Sequence, residues 1–306
     1  MEIVKLKPAT KDYIWGGNNL RKWGKEGNGS SIAECWELSF NDAGPSIIAS
    51  GFNKGKLLKE VATKEDIGLA SASFSFFPVL VKLIDSETDL SVQVHPSDAY
   101  ALQNENQFGK TEMWHILDAK EGAGIYLGFK KNTSPSEVRK AVDDHSIVSL
   151  LNFIKVHKGE TYFIPSGTVH AIGGGVTLIE IQQNSTLTYR LYDYGRIGKD
   201  GKPRELHLEK ALNVINYEAF KPVTFRSNIL GECPYFVAKK KEIFSDDLFA
   251  SKDSFLSFMV IEGEGKFANI PFSKGDTFFI PASKGGHFEG EAKIVTVEVP
   301  NDRSRD

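Results

Sequence analysis

One short pattern occurs twice in this chain. Gly159-Glu-Thr-Tyr-Phe-Ile-Pro165 is followed by His170, and Gly275-Asp-Thr-Phe-Phe-Ile-Pro281 is followed by His287. In each, a Gly turn feeds an apolar strand that stops at Pro, with a His soon after. A repeated strand-and-turn device points to two similar β-sandwiches in tandem, the alternative being two unrelated hairpins that resemble each other by chance. A boundary near residue 222 suits the repeat, at Lys221-Pro222, and divides the chain into 1–222 and 223–306.

The remaining punctuation agrees. Runs rich in β-branched and aromatic residues, broken by Gly, Pro, Asn and Asp, lie at 77–84, 90–94, 113–117, 124–129, 161–164 and 176–181. Helical periodicity is confined to two stretches. One is an insert over 135–154, where Ser134 can cap the first turn and Pro135 takes the first helical position; the other covers 205–217. Strands and helices do not alternate regularly, which argues against a doubly wound nucleotide-binding sheet. The expected fold is mostly β, two jelly-roll sandwiches with a small helical insert.

Composition narrows the function. The 306 residues are 41% hydrophobic, enough for a substantial core. Lys plus Arg number 37 against 40 Asp plus Glu, a net charge of −3, and there is no basic block of the kind that binds nucleic acid. An anionic substrate must therefore be held by local charges. The most apolar stretch, 74–84, contains Lys82 and is too short to span a membrane. The amino end carries Glu2, Lys5 and Lys7 and lacks a signal-type apolar region, and Cys35 and Cys233 have no CxxC spacing. The expected compartment is the cytoplasm.

Among the seven histidines, His95 and His170 stand at strand ends. Side chains alternate along a strand, so Ser91, Gln93 and His95 share one face. Glu112 opens another apolar strand with Lys110 two positions before it. Gln93, His95, Glu112 and His170 together form a mixed nitrogen and oxygen set that suits zinc and also accepts iron, manganese or cobalt. Without a metal, the two histidines would be ordinary hydrogen-bonded strand-end residues. His115, His145, His157 and His207 lack such a setting and are expected at the surface or in the core. The second repeat has no His between His207 and His287, so it cannot supply two imidazoles of its own, and His287 is expected to bind no metal. Glu180, among Leu178, Ile179 and Ile181, is an inward carboxylate that needs a partner. Arg190 could be a surface residue paired with Asp193. Trp15, Trp36 and Trp114 are expected in the core, and Gly122, Gly124 and Gly173 to Gly175 in turns.

Gln93-Val-His95-Pro96, Lys110-Thr-Glu112-Met113, Pro165-Ser-Gly-Thr-Val-His170-Ala and Glu180-Ile-Gln-Gln-Asn184-Ser with Tyr189-Arg190-Leu-Tyr-Asp193-Tyr resemble the motifs of the type I mannose-6-phosphate isomerases, in particular their short bacterial branch. The resemblance runs in order from Trp15-Gly16-Gly17 to the element at Gly275. It implies a zinc-dependent enzyme of the cupin fold, with one Zn2+ per chain held by Gln93, His95, Glu112 and His170. It also implies substrate contacts at Ser91, Lys110 and Arg190, a catalytic part for Lys110, Arg190 and Glu180, with Glu180 a candidate base, and a small sugar phosphate as partner. One position departs: Thr186 stands where the family usually has Asp. Two other readings remain open here, another metal-dependent cupin enzyme such as an Fe(II) dioxygenase, and a sugar-binding or regulatory cupin without turnover.

Overall fold

A computed structural model describes residues 1–198 and 200–301. All six strand-like runs contain strands, and the described strands pair into antiparallel sheets of six, five and nine members. The six-stranded sheet runs in the order Thr161–Ile164, Glu112–Ala119, Val176–Gln183, Val79–Ser86, Glu34–Leu38, Ala9–Lys11. The five-stranded sheet runs Tyr189–Tyr192, Val92–Val94, His170–Ile172, Gly124–Phe129, Leu151–Lys155. They enclose a core in which Ile84, Trp114 and Leu178 of the first sheet meet Ile125, Leu127 and Ile172 of the second.

The central strands of the six-stranded sheet are buried on both faces. Val79, Val81 and Leu83 turn outward to a second core shared with Phe236, Met259 and Val295. Alternation then turns Lys82 and Ile84 toward the sandwich interior. Outward packing against the carboxy-terminal half therefore fixes which side chains face inward.

In that half, the nine-stranded sheet is built on Phe236–Phe244, Gly285–Glu298, Leu256–Phe267 and Thr277–Ile280. The amino end joins it: Val4–Lys7 pairs with Thr277–Ile280, Val4 opposite Phe279. Its interior is filled by aromatic rings, with Phe258 stacked on Phe278 at 4.9 Å and Phe267 against Phe288 at 4.6 Å.

Both expected helices are shorter than the sequence suggests. The insert is helical over Pro135–Asp143, with Ser134 Oγ accepting from the Glu137 amide as anticipated. His145 then adopts φ 56°, which no helix tolerates, and the chain continues through a 3-10 turn, Ile147–Leu150, into the strand Leu151–Lys155. Pairing of that strand with Gly124–Phe129 outweighs its helical pattern. The second helix is only Leu208–Leu212. The backbone before it is held extended by Arg190, whose carbonyl accepts from His207 N at 2.7 Å and whose guanidinium donates to Glu205 O at 2.8 Å.

The Gly of each repeat sits in the left-handed region, φ 92° at Gly159 and 93° at Gly275, which explains the residue type. Their surroundings differ. A Cβ on Gly275 would lie 2.1 Å from the carbonyl oxygen of Trp23, whereas Gly159 faces open space. Gly159→Ala should therefore cost about 1 kcal/mol of stability, the conformational penalty alone. Gly275→Ala should cost clearly more, measured by urea denaturation. Equal losses would show that the contact with Trp23 relaxes freely.

Candidate active site

The register between strands gathers the site. Gln93 lies opposite His170 on one neighbouring strand and opposite Arg190 on the other. Directly paired residues point to the same face, so these three side chains and Ser91 project together into the sandwich. From the facing sheet, Glu112 lies opposite Gln182, and Glu180 lies opposite both Lys82 and Trp114.

Ligand atoms of His95, Glu112 and His170 all fall within 4.8 Å of one another, and all three residues are buried. His170 Nε2 is 3.3 Å from Glu112 Oε1, and His95 Nε2 is 3.6 Å from Glu112 Oε2. The Gln93 amide lies 3.4 Å from His170 Nε2. Each imidazole is oriented from behind: His95 Nδ1 faces the Leu187 carbonyl at 2.8 Å and His170 Nδ1 faces the Thr168 carbonyl at 2.8 Å. A carbonyl can only accept, so each Nδ1 carries the proton and each Nε2 presents a lone pair to the cluster. Burial holds both rings neutral, pushing His95 well below its ordinary range and His170 down to about 4.

Glu112 completes the set. Burial first, and the Glu180 charge next, push its carboxyl up to about 7 against the opposing pull of Lys110. Its Oε1 is fully buried and has no hydrogen-bond donor among the described residues. Two imidazole lone pairs and an unserved carboxylate oxygen facing one another leave a concentration of acceptors that a divalent cation would satisfy. The donor set fits a metal.

Lys110 and Lys82 carry the positive charge nearby. Lys110 Nζ donates to Glu112 Oε2, and lies 3.0 Å from His95 Nε2 and 3.7 Å from Glu180 Oε1. Lys82 Nζ donates to Glu180 Oε1 at 3.0 Å and lies 3.7 Å from Glu34 Oε2. Each carboxylate is also held by an indole: Trp114 Nε1 donates to Glu180 at 3.0 Å and Trp36 Nε1 to Glu34 at 2.7 Å. Burial alone would raise Glu180, but Lys110 and Lys82 outweigh it and hold the carboxyl at about 2.

Glu34, Lys82, Lys110 and Glu180 line a cavity of about 430 Å³ together with Ser91, Gln93, Arg190 and Thr186. Arg190 donates to Ser91 Oγ at 3.3 Å, and Asp193 is taken instead by Arg196 and Arg204, so the surface pairing of Arg190 with Asp193 is ruled out. Thr186 stands at the exposed edge, its hydroxyl 3.4 Å from Gln107 Oε1. His287 lies at the surface of the other sheet, bonded to Asp247 at 2.7 Å. A wider depression of about 580 Å³ bordered by Glu87, Lys120 and Gly174 contains none of the predicted site residues.

Sequence reasoning missed Lys82, Glu34, Tyr13 and Arg204, all of which line the cavity. For Lys82 the signal was present, a lone cation on the inner face of an otherwise apolar strand. Trp36 and Trp114 are buried as expected, yet their indole N–H groups serve the site.

The model of the phosphomannose isomerase type I catalytic domain matches residues 3–116. Mannose-6-phosphate isomerase of Bacillus subtilis (strain 168) is 37% identical over 311 residues, covering 96% of this chain and 98% of that protein. The corresponding protein of Streptococcus mutans serotype c is 33% identical over 308 residues, covering 96% and 97%. The chain belongs to the type I mannose-6-phosphate isomerases. The crystal structure of the mannose 6-phosphate isomerase from Bacillus subtilis superposes with a TM-score of 0.87 at 36% identity, covering 97% of this chain and 99% of that one. A variant of the phosphomannose isomerase from Salmonella typhimurium, at 16% identity and a TM-score of 0.77, shares the fold.

For a member of this isomerase family the buried imidazoles have a measurable consequence. His95, His170 and His115, the last pushed down to about 4 by burial, stay neutral when folded but take up protons near pH 6.5 when unfolded. Each makes the metal-free protein less stable by ~1.4 kcal/mol per pH unit as pH falls from 6.5 toward 4. Glu112, raised when folded, opposes one of them between pH 7 and 4.5. Unfolding of the chelated protein at pH 5.5 should therefore take up protons net, with Glu37, which burial also raises, acting on the side of Glu112. His115→Gln, remote from the cluster, should remove about one of these protons, read from urea midpoints across pH 5 to 7. Stability that holds level or rises on acidification would contradict neutral buried imidazoles.

Proposed function

We propose that this chain interconverts mannose 6-phosphate and fructose 6-phosphate, with one Zn2+ held by Gln93, His95, Glu112 and His170. The observation that carries the reading is the pair of buried, neutral imidazoles whose Nε2 atoms face the Glu112 carboxylate, His170 beside its unserved Oε1 and His95 beside Oε2. Residues 1–222 contain every group in the scheme, and residues 223–301, with the amino-terminal strand Val4–Lys7 added to their sheet, form the degenerate second cupin. The setting is cytoplasmic metabolism, consistent with two unpaired thiols, Cys35 and Cys233. No helix among the described residues is long and apolar enough to cross a membrane.

When bound, the metal supplies Lewis acidity that polarises a carbonyl oxygen. The chain's own residues account for the rest. Moving a proton between C1 and C2 of the sugar builds negative charge on the adjoining oxygens, as in an enediolate. The Lys110 ammonium, buried and already among the acceptor atoms, is the fixed cation for that charge. Ser91, two residues along the strand from Gln93, and Arg190, whose guanidinium reaches Ser91, bind the sugar phosphate away from the reacting carbons. Glu180 is ionised at neutral pH and compensates Lys82 and Lys110 together, so it keeps both ammonium groups in place and stands in the charged form that a base requires. This scheme favours an isomerase over an oxygenase, because the residues around the set are charges suited to an oxyanion and a phosphate.

A coupled assay should detect fructose 6-phosphate made from mannose 6-phosphate, abolished by a chelator and restored by zinc; metal-dependent oxygen uptake without isomerisation would support the dioxygenase alternative instead. Glu180→Gln should lower kcat about 100-fold or more, with exchange of the C2 proton into heavy water falling in parallel. Thr186→Val, at the cavity edge, should stay within about threefold. Wild-type exchange in Glu180→Gln would remove Glu180 from the proton-transfer step.

A further inference from the structure

The cavity has a second guanidinium whose placement the isomerase motifs do not account for. Arg204 lines the same cavity as Arg190, and its Nε donates to Asp193 Oδ2 at 2.7 Å while its Nη2 donates to Asp193 Oδ1. Asp193 is almost fully buried, its side chain 5% exposed, and the Arg204 side chain is 24% exposed. Asp193 Oδ1 also accepts from Arg196, which is tied in turn to the Asp89 carbonyl. Arg190, half-buried, spends one N–H on Ser91 Oγ and one on Glu205 O. Two guanidinium groups thus share one buried carboxylate, with the Arg190 guanidinium in the same cavity as Arg204. Glu205, whose charge also acts on Arg190, is 84% exposed and lies 3.9 Å from His207. After burial, the charges of Arg204 and Arg196 press the Arg190 guanidinium below its ordinary range, so the three groups repel one another when the cavity holds no anion.

Such a cluster, with three guanidinium groups and one buried carboxylate, matches a phosphate monoester, which carries about −1.5 to −2 at pH 7. Its distance from the metal set is also suitable. Ser91, which Arg190 bonds, is two residues from Gln93, about 6.6 Å along the strand at ~3.3 Å per residue, comparable to the separation of the carbonyl end and the phosphate of a six-carbon sugar. A bidentate hold by Asp193 fixes the plane of the Arg204 fork and leaves its Nη1 without a partner among the described residues, aimed by a rigid support.

We propose that Arg204 is the second arm of a phosphate clamp with Arg190, that Asp193 is its positioning residue, and that this pair sets the preference for a phosphorylated over an unphosphorylated aldose. The proposal rests on the isomerase reading for its substrate, but the clamp itself requires only a phosphate group.

The test uses the metal-loaded full chain. Arg204→Gln should raise KM for mannose 6-phosphate and the inhibition constant of inorganic phosphate by about 10- to 100-fold, the loss of a hydrogen-bonded charge, with kcat changed far less. The ratio of kcat/KM for mannose 6-phosphate over mannose should fall by a similar factor. Arg204→Lys should recover only part of it, because an ammonium cannot reproduce the fork. Asp193→Asn should weaken phosphate binding in the same direction through loss of positioning. If Arg204→Gln proves unstable, the double variant Asp193→Asn with Arg204→Gln, which leaves no carboxylate uncompensated, serves the same comparison. Calorimetric titration with inorganic phosphate separates the two ideas. Phosphate binding by the wild type that Arg204→Gln loses supports the clamp even if mannose 6-phosphate is not turned over. Failure of the wild type to bind phosphate, or an inhibition constant and a discrimination ratio unchanged in Arg204→Gln, would overturn it.

Discussion

Two lysines and three carboxylates share the dry space between the sheets of the amino-terminal sandwich. Glu34, Lys82, Glu180, Lys110 and Glu112 form a chain of alternating sign, each neighbour within 3.7 Å of the next. Any one of these charges alone would cost several kcal/mol to bury, and removing one leaves its neighbour uncompensated. The network is tolerable because the indoles of Trp36 and Trp114 satisfy lone pairs that the lysines do not reach. Its alternation breaks at Glu112, whose Oε1 lacks a donor among the described residues and faces the His170 Nε2 lone pair. The metal set is the end of a charge ladder that the fold otherwise balances.

The second sheet treats the same device differently. The Gly turn, apolar strand and Pro are kept, and Gly275 is held even more tightly than Gly159 by its approach to Trp23. Yet the interior carries Phe258, Phe267, Phe278 and Phe288 in mutual contact, with no room for a polar cluster. An aromatic filling stabilises without partners, whereas a charged one demands them. The outer faces of Val79–Ser86 and Val176–Gln183 pack toward this half, so an apolar second sandwich supports the face of the sheet opposite the site.

Much of this was legible in the residues. Gln93, His95, Glu112 and His170 follow from strand alternation and strand-end positions, and the structure brings all four together. Glu180 was read as an inward carboxylate in need of a partner, and it has two lysines. What escaped depends on contacts distant in sequence. Lys82 and Glu34 pair across strands, and Arg204 is aimed by Asp193 from a segment that has no regular secondary structure. The helical overreach has a similar origin. A pattern over 135–154 that suits a helix gives way after His145 because a neighbouring strand offers backbone pairing, and Arg190 pins the backbone ahead of Leu208–Leu212.

The central claim is that Glu112 and its two imidazoles form a metal site rather than a buried polar cluster. Elemental analysis of the purified wild-type, His95→Ala and His170→Ala proteins tests it most directly. The account predicts one zinc per chain in the wild type and less than a tenth of that in either variant, since an open site needs about three protein ligands. Stoichiometric metal in both variants, or a fully active wild type that carries no metal at all, would contradict it.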